Sequence, residues 1–121
     1  MSSKRPASVP ADLAREARDL IERVSRAIRD DPVELTVPRI HETTRALLQL
    51  VELLPLTFEQ LANALEVRAK AGAICLDATD DLDAAARAAA ADLRVVAGEA
   101  DELSYLLAKP STTLWSMSQH K

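Results

Sequence analysis

Apolar residues recur at helical spacing along most of the chain, and the breaks between them delimit four predicted helices. The first covers about 9–29. Leu13, Ala17, Leu20, Ile21, Val24 and Ile28 share one face, while Asp19/Arg23 and Glu22/Arg26 set acid before base at i,i+4 on the other. Pro10 lies in the first turn, where its missing N–H costs nothing, and Asp30-Asp31-Pro32 ends the segment. Thr36-Val37-Pro38 repeats the cap-plus-proline start. A second helix is expected over 37–54, with Pro55 blocking its continuation. From Ala46 to Leu54 this helix is apolar over roughly 220° of arc, with Gln49 and Glu52 as the polar strip, wider than the stripe of an ordinary surface helix. Such a helix is either central to a bundle or shared with a second chain.

The third helix is expected over 58–76. Leu56-Thr57-Phe58-Glu59-Gln60-Leu61 reads as a capping box, with Thr57 capping, Gln60 reaching back and Leu56 stapled to Leu61. Phe58, Leu61, Ala62, Leu65, Ala69, Ala73 and Leu76 form its apolar face, on which Gly72 permits close approach of a neighbour. Asp77-Ala78-Thr79-Asp80-Asp81 breaks the pattern and caps a fourth helix, over 80–108. Here Leu82, Ala86, Ala89, Leu93, Val96, Ala100, Leu103 and Leu107 alternate steps of four and three, a heptad seam sustained over nearly four heptads. Lys109-Pro110 is expected to end it. Residues 1–7 read as a flexible tail, and 110–121 as a polar C-terminal tail holding Leu114, Trp115 and Met117. Short connections make sequential helices antiparallel neighbours. The expectation is therefore an all-α, four-helix antiparallel bundle over 8–109, a single domain with a long, coiled-coil-like last helix.

Composition agrees with this class. There are two glycines, the aromatics are Phe58, Tyr105 and Trp115, and the apolar content is mostly Ala, Leu and Val. A chain of 121 residues is long enough to bury a core without staples. The net charge of −4 does not suit a protein that coats nucleic acid. Residues 77–102 carry Arg87 and Arg94 against eight carboxylates, which favours a basic partner. The single Cys75 cannot form an internal disulfide and fits a reducing cytosol. No charge-free run approaches the ~18–20 residues of a membrane span. The start, Met-Ser-Ser-Lys-Arg-Pro, lacks the apolar segment of a secretory signal. A cytoplasmic protein without membrane contact is expected, and the Ala/Arg/Leu/Asp-rich composition suggests a bacterial, GC-rich source.

The residues that could carry chemistry are few. His41 has Arg45 at i+4 where a metal site would place a second ligand, and it reads as a surface histidine; His120 lies in the tail. Asp77, Asp80, Asp81 and Asp83 lack the spacing and the glycine of a calcium loop, and suit the positive end of a helix instead. Cys75 has no base or basic cluster beside it and reads as a buried structural thiol. Two glycines leave no phosphate-binding loop. No catalytic, cofactor-binding or metal-binding residue is expected.

Three functional readings follow. In the segment 56–67, Leu61-Ala62, Leu65 and Val67 resemble the first helix and turn of a helix-turn-helix motif. Glu66 stands where that turn has glycine, and Gly72 where the recognition helix has Ile or Val. The resemblance implies a DNA-binding regulator using residues 57–76, with Arg68 and Lys70 on phosphates. A second reading is an adaptor or secretion-associated protein whose tail docks through Leu114, Trp115 and Met117. The preferred one is a non-enzymatic helical interaction module that self-associates or binds a helical partner. Leaving a Leu or Val exposed forgoes roughly 1.5–3 kcal/mol, so a few such residues suffice to hold an interface. The residues expected there are Leu50, Leu53, Leu93, Val96, Leu103 and Leu107.

Overall fold

A computed structural model describes residues 9–70 and 80–119, and all of its regular structure is helical. Helix α1 spans Val9–Asp30, a 3-10 turn follows at Pro32–Glu34, α2 spans Val37–Lys70 and α3 spans Asp80–Gln119. Three α-helices thus stand where four were expected. The chain divides into two compact units, Met1–Thr36 and Val37–Lys121. Among the described residues no helix is long and apolar enough to cross a membrane.

The first unit is α1 and the 3-10 turn. The amphipathic pattern forms as expected, and Asp31 donates its N–H back to Ala27 O at 3.3 Å as the helix ends. Glu22 and Arg26 pair at 3.7 Å, whereas Asp19 pairs with its neighbour Arg18 at 3.1 Å and not with Arg23. No residue of α1 is buried.

The second unit is a helical hairpin. The helix expected at 37–54 and the described part, 58–70, of the one expected at 58–76 form one helix, α2, with Pro55 inside it. The helix expected to end at Pro110 likewise runs through it to Gln119, so residues 111–119 are helix and not a tail. An interior proline removes one backbone donor and its ring crowds the preceding turn, at a cost of about 3 kcal/mol. Two features offset this. Each proline is followed two residues later by a threonine whose hydroxyl donates to the carbonyl two residues before the proline: Thr57 to Leu53 O at 3.0 Å, and Thr112 to Ala108 O at 3.1 Å. Packing of α2 against α3 also continues on both sides of each proline. The capping box at Thr57 therefore does not form, and the proposed staple partners Leu56 and Leu61 are both exposed. The face expected at 73–76, with Gly72 and Cys75, lies outside the described residues, as does His120.

Burial follows a single heptad seam on each helix. On α3 the seam runs through Ala86, Ala90, Leu93, Ala97, Ala100, Ser104, Leu107, Ser111, Leu114 and Ser118, all buried or half-buried and in alternating steps of four and three, with Asp83 and Arg94 half-buried beside it. The expected seam shared four of these but took Ala89, Val96 and Leu103 where Ala90, Ala97 and Ser104 are found. Both sets obey the same spacing, and the small side chains are the ones that face α2, because they let the two backbones approach. On α2 the matching seam runs through Val37, His41, Thr44, Leu48, Val51, Pro55, Phe58, Ala62, Leu65 and Ala69. The pairing is antiparallel: Arg94 reaches Glu59 and Glu66, while Trp115, later in α3, meets His41, earlier in α2.

Candidate interaction surface

Two helices side by side leave two broad faces flanking the seam. On one, α2 contributes Arg45, Glu52, Glu59 and Glu66, and α3 contributes Arg87, Arg94, Asp101, Ala108 and Trp115, each set spaced by seven. This face is polar. At its centre Arg94 uses its whole guanidinium. Nη1–H donates to Glu66 Oε2 at 2.8 Å, Nη2–H to Glu66 Oε1 at 3.0 Å and to Asn63 Oδ1 at 2.7 Å, and Nε lies 3.4 Å from Glu59 Oε1. The bidentate hydrogen bond from Arg94 holds the Glu66 carboxyl below its ordinary range, and the same bond raises Arg94. One side chain thereby grips two turns of α2, which sets the register of the hairpin.

Further along the polar face, the His41 and Trp115 rings lie 5.8 Å apart at 48°. They line a shallow groove of about 320 Å³ with Arg45, Gln49, Glu52 and Ser111. His41 is buried, contrary to the surface position expected for it. It falls on the α2 seam, and α3 continues past Pro110 to cover it. Trp115 is half exposed above it. Of the expected docking tail, Leu114 lies in the seam and Trp115 on the polar face, while Met117 lies on the opposite side of α3. None belongs to a free peptide.

The opposite broad face is apolar. Here α2 places Ile40, Leu47, Leu54 and Leu61 at steps of seven with Leu50 beside them. The facing row of α3 is Ala89, Val96, Leu103, Pro110 and Met117, flanked by Leu106. Ile40, Leu47 and Leu54 are half-buried; Leu50, Leu61, Val96, Leu103, Leu106 and Met117 are exposed. The six residues expected at an interface are thus divided. Leu50, Val96 and Leu103 share the apolar face. Leu93 and Leu107 are in the intramolecular seam, and Leu53, 66% exposed, lies on the back of α2. Ile40, Leu47, Leu54 and Leu106 were not singled out from the sequence, although the seven-residue step linking the first three is present in it.

The buried apolar side chains of the described residues are all alanines, at positions 62, 86, 90, 97 and 100, and no large side chain is fully buried. Among the described residues no group of three or more His, Cys, Asp or Glu could hold a metal ion. Asp83 accepts from Arg87 at 2.7 Å, and the side chains of residues 77 and 80–81 lie outside the described part. Helix α2 continues without a turn through Glu66, where the helix-turn-helix resemblance required one, and Glu66 is engaged by Arg94. No family model, curated protein or solved structure matches this chain.

Proposed function

We propose that this chain is a non-enzymatic helical interaction module, and that its working surface is the apolar broad face of the α2/α3 hairpin. The observation that carries this is the contrast between a core made of five alanines and a face of uncovered leucine, valine and methionine. Stable helical architectures bury each apolar stripe against another layer. A two-helix layer buries only its seam, and an exposed contiguous apolar patch rimmed by polar residues marks a surface for another element. Helices are the natural occupants, because rows spaced by seven form grooves that accept the ridges of another helix.

The test is the full-length double variant Leu50→Asp/Leu103→Asp, followed by circular dichroism and thermal unfolding. Both side chains are partly exposed, at 37% and 50%. Replacing each costs about 0.5 kcal/mol of helix propensity, so the variant should stay as helical as the parent, with a slightly lower midpoint. An unfolded variant would make these positions core and remove the surface.

A further inference from the structure

We infer that the occupant of this face is a second copy of the same chain, arranged so that α2 of each copy lies along α3 of the other; this rests on the surface assigned above. The charges rimming the face supply the reason. All four carboxylates of α2, Glu42, Glu52, Glu59 and Glu66, belong to its polar side, and the charged residue on its apolar flank is Arg68. The apolar flank of α3 instead carries Asp92 and Glu99. One molecule thus has a basic edge and an acidic edge beside one apolar surface. A two-fold axis along the hairpin lays each acidic edge on the other copy's α2 edge. A two-fold axis across the hairpin would set α3 on α3, with carboxylates facing carboxylates. Like charges brought together at an interface are selected against.

The levels agree as well. Arg94 spans Glu59 to Glu66, so Asp92 stands near residue 64 of α2, and an axis along the hairpin preserves such levels between copies. Arg68 then comes within about one turn, roughly 6 Å, of Asp92 of the partner subunit. Glu99 meets the uncharged stretch around Thr57. Helices of 34 and 40 residues pair along most of their lengths, and the result is a four-helix, two-layer bundle built from two hairpins.

The experiment is light scattering on the full chain over a tenfold concentration range, with Arg68→Asp, Asp92→Arg and the double exchange measured beside it. The expected mass is twice 13.1 kDa. Each single reversal should weaken the dimer about tenfold, as facing charges do, and the double exchange should restore it. A monomer at every concentration overturns the second copy as occupant. A dimer indifferent to all three variants overturns the arrangement. Either result leaves the surface itself standing if Leu50→Asp/Leu103→Asp remains folded, whereas unfolding of that variant defeats the surface and the dimer together.

Discussion

Arg94 shows how much one side chain can organise in a hairpin with an alanine core. Its guanidinium holds Glu66, Asn63 and Glu59 across two turns of α2 and leaves no ring of the seam free to slip. The lowered Glu66 means that the folded state prefers the carboxylate. Its stabilisation is therefore fully present above the ordinary glutamate value of about 4.3 and is lost as pH falls through the lowered one. Thermal midpoints of wild type and Glu66→Gln should differ most near neutrality and converge in acid; a gap that stays constant with pH would show that the ion pair contributes nothing. Gly98 is a residue-scale opportunity of the opposite kind. It sits inside α3 with no atom within 4 Å of the place a Cβ would occupy. Gly98→Ala should raise stability by about 1 kcal/mol in urea unfolding, the ordinary helix-interior difference.

At the scale of the element, both long helices pass through a proline. Pro110 is exposed on the apolar face, so its replacement removes little packing within the hairpin. Pro110→Ala should raise the urea midpoint, by up to about 3 kcal/mol in unfolding free energy; no gain would mean that the Thr112 hydroxyl bridge already relieves the turn. Pro55 is half-buried between Val51 and Phe58 in the seam, and the same change there also removes contact with α3. The α3 seam carries a complementary constraint. Ala90 and Ala97 are buried in the seam against α2. Ala97→Leu should destabilise the hairpin by about 1–3 kcal/mol through overpacking, while Val96→Leu on the adjacent row should be nearly neutral. Equal effects of the two changes would show that the seam had been placed one residue out.

At the scale of the molecule, three α-helices are described where an antiparallel four-helix bundle was expected. The all-helical class, the limits of α1, the start of α2 and the heptad period of α3 were legible in the pattern of apolar residues, because a 3.6-residue period is a property of neighbours in sequence. The surplus of apolar surface on the stretch 46–54, Leu50 included, was legible for the same reason, while Val96 and Leu103 were read from the heptad pattern of α3. The division of that surplus into seam and open face was not. Leu93 and Leu107 satisfy the same spacing rule as Val96 and Leu103, and only the partner helix decides which row it covers.

The sequence by itself determined where helices can form and how apolar each one is, since propensity and period are local. Tertiary structure decided where the helices end and which row is buried. Local rules stop a helix at Pro55 and at Pro110, yet packing against a neighbour along 34 and 40 residues outweighs a penalty confined to one turn. The local pattern likewise left Ala90, Ala97 and Ser104 unmarked beside larger apolar neighbours. At Ala90, Ala97 and Ser104 small side chains occupy the seam and let the backbones approach, with Leu93 and Leu107 packed between them, and that preference exists only once a second helix is present.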